Sequence, residues 1–303
     1  MLFRSRFAFV IGGGIFADKA LCDAEIRCWS KGQFRQDPGR GFRGLAHWAA
    51  MDLSAYIDAV QTEGNLLAAT AERAGLDAEV PTCPGWQVRR LVQHVGVVHR
   101  WAAGNVAGAR APLIGDDELA TMVGPMPDDD DLLGWFRSGH TALIAALREA
   151  PDDLECATFL PAPSPLLFWA RRQAHETGIH RADAYRAAGI EPTYNAKFAA
   201  DGIDEIIAGF VGSRRRWGKV DQPANLRFRT TDDARSWTVR LSPEGSHAAR
   251  GGDDPGEVDC TVEGPASDIY LLLWNRRSSD GLTMTGDPDM LLVWRYNIRI
   301  RWS

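Results

Sequence analysis

The stretch that decides the fold is residues 81–94, PTCPGWQVRRLVQH, in which a turn leads directly into an amphipathic helix. Two prolines and a glycine between residues 81 and 86 predict the turn. From residue 87 onward, apolar residues recur at helical spacing as far as Trp101, and His94 lies among them. Because an imidazole without a partner is costly to bury on such a face, His94 is a candidate metal ligand. The alternative is a core histidine that forms an ordinary hydrogen bond.

Residues 175–184, HETGIHRADA, form the second informative stretch. Glu176 and His180 are four residues apart, so on a helix they point to the same side. His175 and His180 are five apart, which excludes the metal-binding pair of a His-Glu-x-x-His protease. A carboxylate and an imidazole from one helix, with a third imidazole from a facing helix, make the three-ligand set of an open zinc site. From spacing alone, a surface ion pair between Glu176 and His180 is the alternative.

The rest of the N-terminal half consists of further amphipathic segments. Their apolar spacing predicts helices over residues 53–74, 132–150, 166–188 and 196–216, in addition to the helix that holds His94. Residues 104–131, rich in Gly, Pro and Asp, are predicted to form a long loop. These segments indicate a helical bundle.

After Gly218 the apolar pattern changes to alternation, which is typical of half-buried strands. The pattern predicts strands over residues 226–230, 236–241, 260–262 and 282–285, with helices over 266–274 and 288–296. The predicted fold class is therefore mainly α plus α+β, with a four-helix bundle and a linking helix in residues 51–217 and a small α+β domain in residues 218–303. Residues 1–50 carry eight basic residues against four acids and are interpreted as an extension, or as sequence upstream of an authentic start at Met51.

Composition excludes several classes of function. The net charge of −6 gives no electrostatic basis for binding a nucleic-acid backbone. The longest apolar run falls short of the ~20 residues that a membrane-spanning helix needs, so no membrane partner is expected. The five cysteines are odd in number and scattered, which indicates neither a disulfide scaffold nor a thiolate zinc site and favours a reducing cytoplasm.

Residues 81–94 and 175–184 together resemble the mycothiol-dependent maleylpyruvate isomerase family of actinobacteria, whose N-terminal part is a DinB-like four-helix bundle. Residues 263–276 and 285–288 look like the C-terminal domain of that family. The similarity covers roughly residues 53–294 and leaves residues 1–50 out. It implies that one divalent metal ion, with zinc as the first choice, is bound by His94, Glu176 and His180.

The resemblance also implies a chemistry. A zinc ion with three protein ligands keeps one position open and stabilises a thiolate, here that of mycothiol, which attacks a small electrophilic substrate. The expected activity is that of an isomerase or an S-transferase. Arg276 is expected to hold a substrate carboxylate or, alternatively, to cap a helix C-terminus. The rival hypothesis is a metal-binding or regulatory protein of the same fold without turnover, and a third is a protein without metal.

Six other residues carry secondary expectations. Arg90 stands where relatives often have an acid, and Asn275 where a glycine is common. Asp183 is expected either to support His180 or to pair with Arg186 on the helix surface. Cys83 is expected to be a packed residue rather than a nucleophile, because no nearby histidine spacing marks it as activated. Trp86 and Trp101 are expected to be core anchors.

Overall fold

The structure, a computed structural model, describes residues 51–212, 220, 221, 223–251 and 257–298. The predicted extension over residues 1–50 and the last part of the helix predicted over residues 196–216 lie outside this part of the chain. Within it, helices dominate the N-terminal half and a five-stranded sheet with flanking helices follows, so the predicted fold class is confirmed.

Five helices make up the N-terminal module: α1 (Leu53–Ala74), α2 (Val88–Ala107), α3 (Asp116–Val123), α4 (Asp129–Glu149) and α5 (Pro165–Ala187). The four long ones form the bundle. Helices α1 and α2 each pack against both α4 and α5. Although α1 and α2 are consecutive in sequence, they therefore lie diagonally opposite each other in the bundle. Helix α5 begins at a serine cap with proline in its first turn, as helix starts favour. This arrangement turns the histidine-bearing face of α2 towards α5.

The loop predicted over residues 104–131 is wrong in part, because α2 continues to Ala107, α3 lies in the middle and α4 already begins at Asp129. Three acidic residues form the first turn of α3, where negative charge stabilises a helix. Leu119 of the same helix is buried in the core. A short helix therefore forms in a region whose glycines and prolines suggested irregular backbone.

The C-terminal module begins with α6 (Ala196–Asp204), which continues into a π-helical segment (Glu205–Val211). Its sheet contains β1 (Ala224–Thr230), β2 (Ser236–Ser242), β3 (Gly245–Arg250), β4 (Cys260–Gly264) and β5 (Thr283–Gly286), in the order β3-β2-β1-β4-β5. Only the β1–β4 pair is parallel among these neighbours. Helices α7 (Ala266–Leu273) and α8 (Met290–Asn297) complete the module. Strand β3 was not predicted.

The two modules share one hydrophobic core. A single cluster of buried side chains contains Trp169 of the bundle together with Phe210, Trp237 and Trp274 of the C-terminal module. Polar side chains at this junction are therefore removed from water. The domain boundary predicted near residue 218 stays a prediction, and the name C-terminal module is used from α6 onward because α6 packs on α7 and the π-helical segment packs on β3. In the described part of the chain, no helix is long and apolar enough to span a membrane.

Candidate metal centre

The three predicted ligands meet in the interior of the bundle. His94 lies on α2, while Glu176 and His180 lie on α5, and all three side chains are buried. The Nε2 atoms of His94 and His180 are 3.5 and 3.3 Å from Oε1 of Glu176. One ligand atom from each residue lies within 4.8 Å of the others. Burial excludes the alternative of a surface ion pair between Glu176 and His180.

The donor atoms at this point are suited to a divalent metal ion. Oε1 of Glu176 is buried and accepts no hydrogen bond of normal geometry. A buried carboxylate oxygen needs a hydrogen bond or a cation, and two imidazole nitrogens lie at a distance from which they could share that cation. Two histidines and one glutamate form a donor set found in open zinc sites. The residues present therefore fit the implied metal.

Arg172 holds the second oxygen of Glu176. Its Nη2 donates to Oε2 at 2.9 Å, and its Nη1 donates to Glu205 at the start of the π-helical segment. Burial by itself would raise the pKa of Glu176, but the His180 and His94 imidazoles and the Arg172 guanidinium together hold this pKa below its usual value. Arg172 was not predicted as part of the site, because its position four residues before Glu176 indicates a helical pair but not its burial.

Asp183 holds the imidazole of His180. Its Oδ2 lies 2.9 Å from Nδ1 of His180, so the other ring nitrogen faces Glu176. Thr82 donates its hydroxyl to Oδ1 of Asp183 at 2.5 Å. The alternative of a surface pair between Asp183 and Arg186 is wrong, because Asp183 is fully buried and Arg186 pairs with Glu191.

Arg276 follows α7 and is buried against Asp183. Nε and Nη2 donate to the two carboxylate oxygens at 2.8 and 2.9 Å, and Nη1 donates to the carbonyl of Trp274 at 2.9 Å. Its guanidinium thus contacts a carbonyl at the end of α7, as the capping alternative predicts. The preceding Asn275 has φ +59°, in the left-handed region that glycine and asparagine adopt most readily. This explains why asparagine can replace glycine there.

Trp86 covers both imidazoles from the side of the turn. Its ring is 5.3 Å from that of His94 and stacks on that of His180 at 6.5 Å between centroids. The guanidinium of Arg90 lies 5.6 Å from the Trp86 ring centre. Trp101, by contrast, packs on Trp169 in the core. Trp86 therefore packs on the site itself, whereas Trp101 has the predicted anchoring role.

Cys83 is not an activated thiol in this arrangement. Burial and the neighbouring Asp183 carboxylate raise the pKa of Cys83 to about 12. Its Sγ donates to Oδ2 of Asp183 at 3.4 Å. The thiol therefore stays protonated near neutral pH, as expected for a packed residue.

A cavity of about 530 Å³ lies beside the network around Asp183. Thr82 and Arg276, which both contact Asp183, form part of its wall. The remaining lining residues come from both modules and are Pro81, Arg186, Glu191, Pro192, Thr193, Asp268, Leu271, Arg277 and Ser278. This volume is within the usual range for small-molecule sites.

Together, the fold and the site define a class: a helical bundle with a buried His-Glu-His cluster, joined to an α+β module. The chain belongs to the mycothiol-dependent maleylpyruvate isomerase family. The mycothiol maleylpyruvate isomerase N-terminal domain matches residues 57–185, and the C-terminal domain of the same family matches residues 197–292.

Two solved structures share this fold. One is a mycothiol-dependent maleylpyruvate isomerase, with 16% identity and a TM-score of 0.54. The other is a histidine-to-alanine variant of that enzyme, with 16% identity and a TM-score of 0.55. Each alignment covers 78% of this chain and 93% of the other. No curated protein matches the chain significantly.

Proposed function

We propose that this chain is a metal- and mycothiol-dependent enzyme, an isomerase or S-transferase that acts on a small electrophile, with zinc as the expected metal. The observation that carries the proposal is the convergence of His94, Glu176 and His180 on one buried point, where a carboxylate oxygen lacks a normal hydrogen bond. Membership of the isomerase family supports the same chemistry.

Different residues of the chain would have different roles in this chemistry. His94, Glu176 and His180 would hold the metal, which when bound supplies a Lewis acid that lowers the pKa of a thiol. Asp183 keeps His180 in the tautomer that presents Nε2, and Trp86 shields the two imidazoles. Since Cys83 stays protonated, the nucleophile would be the thiol of the cofactor.

For the isomerase reaction, mycothiol would supply a thiolate that adds reversibly to the cis double bond of maleylpyruvate, so that isomerisation to fumarylpyruvate involves no net change of atoms. The cavity beside Asp183 is lined by Arg276 but by none of the three metal ligands, so it would receive the part of the substrate that Arg276 binds. Its wall contains three arginines and three hydroxyl-bearing side chains beside Glu191 and Asp268, which suits polar ligands.

Arg276 is the proposed contact for a substrate carboxylate. A guanidinium has five N–H donors, and the contacts with Asp183, Trp274 and Cys83 leave one on Nη1. Arg276→Lys should therefore lower kcat/KM by about tenfold or more for a carboxylate substrate. An uncharged electrophile assayed with the same variant is the control. Equal losses for both substrates would contradict a carboxylate contact.

The proposed function is tested by incubating the zinc-loaded chain with mycothiol and maleylpyruvate. Separation of the cis and trans products by chromatography detects an isomerase, and mass spectrometry of added electrophiles detects a transferase by the mass of the thiol adduct. We expect turnover that requires both thiol and metal. Zinc binding without any thiol-dependent loss of electrophile would instead support the non-catalytic, metal-binding alternative.

A further inference from the structure

A buried arginine connects the candidate metal centre to the C-terminal module. Arg172 of α5 donates to Oε2 of Glu176 on one side and to Oε2 of Glu205 on the other. The three side chains are 1%, 0% and 2% exposed. Two carboxylates, one from each module, therefore share a single guanidinium out of contact with water.

The π-helical segment places the groups that fix this guanidinium. Glu205 is its first residue, and Phe210 of the same segment lies with its ring centre 5.3 Å from the Arg172 guanidinium carbon. Trp274 lies 5.7 Å from that carbon. Isolated π-helical turns are rare and occur frequently at functional sites. Acids contact the edges of the guanidinium and rings cover it, so it has little freedom to move.

The charge on Glu205 affects how Glu176 is presented. Arg172 binds Oε2 of Glu176 and leaves Oε1 facing His94 and His180. If Arg172 had no second acid, its full charge would draw the Glu176 carboxylate towards itself and weaken that carboxylate as a ligand. Glu205 offsets this charge. The ligand strength of Glu176 would therefore depend on a residue that lies outside the cluster.

We propose that Glu205, acting through Arg172, is a positioning residue that keeps Oε1 of Glu176 available for the metal, so that the C-terminal module helps to build the metal site of the bundle. The inference rests on the proposed function in one respect, since it takes the cluster to bind a divalent metal. Neither Glu205 nor Arg172 was singled out by the sequence pattern.

The test compares variants of the full chain in competition with a chromophoric zinc chelator. Glu205→Gln keeps the size of the side chain and one acceptor oxygen but removes the charge. It should weaken zinc binding about tenfold or more, as does the loss of other groups that hydrogen-bond to or orient metal ligands. The visible spectrum of the cobalt-substituted variant should also change, because the carboxylate ligand is displaced. If Glu205→Gln does not fold, Arg172→Lys is the variant that tests the inference, since a lysine cannot bridge two carboxylates. It should show the same loss.

Asp204→Asn is the matched control. Asp204 precedes Glu205 in the chain, is buried at the same junction and pairs with Arg250 and Arg171, but it does not contact Glu176. This variant should lose stability while its zinc affinity stays within about twofold of the wild type.

Two results would overturn the inference: wild-type zinc affinity in folded Glu205→Gln, or an equal loss of affinity in Asp204→Asn. A wild-type chain that binds no divalent metal would overturn the proposed function as well. A chain that binds zinc with the expected variant effects, yet turns over no electrophile, would contradict only the proposed function.

Discussion

Asp183 and Arg276 form a bidentate ion pair between the modules, with N–O distances of 2.8 and 2.9 Å. The same carboxylate accepts from Nδ1 of His180. One aspartate thus joins the end of α7 to a candidate metal ligand. The orientation of His180 and the docking of the C-terminal module are therefore coupled.

Asp183→Asn should destabilise the protein by about 3–5 kcal/mol, because it leaves the charge of Arg276 buried without its partner. The free energy of unfolding from urea titration measures this. Asp77→Asn is the control, since Asp77 pairs with Arg89 at the surface and the side chain of Asp77 is 84% exposed. The control should change stability by less than about 1 kcal/mol. Similar losses in both variants would show that the buried pair contributes no more than a surface pair.

Asp204 should make the free energy of unfolding depend on pH in the acid range. Burial by itself would raise the pKa of Asp204, but hydrogen bonds from Arg250 and the charge of Arg171 hold it below the usual value. A lowered pKa in the folded state adds stability above the unfolded pKa of about 3.9, and this stability is lost as pH falls through the folded value. Asp204→Asn should cost about 1.5–3 kcal/mol at neutral pH.

Urea midpoints at neutral pH and at about pH 3 check this dependence. The wild type should lose more stability on acidification than Asp204→Asn, so the difference between the two proteins should shrink. A difference that stays constant over this range would contradict the assigned role of the Asp204 charge.

Gly202 of α6 should not tolerate a methyl group. A Cβ there would overlap the Tyr270 ring and lie 2.9 Å from Nδ1 of His175, and both side chains are fully buried. Gly202→Ala should therefore destabilise the protein by about 1–3 kcal/mol. Gly134→Ala, on the exposed side of α4 with nothing within 4 Å of the added carbon, should stabilise it by about 0.5–1 kcal/mol. Thermal unfolding of both variants measures the contrast, and equal shifts would show that Gly202 has room.

Periodicity predicts the long elements well, because a buried face repeats with the geometry of its element. The helix predicted over residues 53–74 matches α1, and the strand predicted over residues 236–241 lies within β2. Strand β3 has the sequence GSHAAR, in which no bulky apolar residue alternates with polar ones. It lies at the edge of the sheet and pairs with β2, and this pairing is not encoded in local spacing.

Residues that helical spacing relates to one another could also be identified from the sequence. Glu176 and His180 share a helix face by geometry, whereas the approach of His94 depends on how α2 and α5 pack. Arg172 could not be assigned, because an arginine on a helix is usually solvated and its burial depends on Glu205, 33 residues later. The contacts of Arg172 that support Glu176 therefore arise from tertiary packing and cannot be predicted from local sequence.

The metal content of the purified full chain, measured by inductively coupled plasma mass spectrometry after dialysis against zinc and then buffer, tests the central claim most directly. We predict about one zinc ion per wild-type chain and almost none in His94→Ala. His247→Ala, which removes an exposed histidine of β3, should keep the wild-type content. A wild-type chain without zinc, or a His94→Ala variant that retains it, would contradict the account.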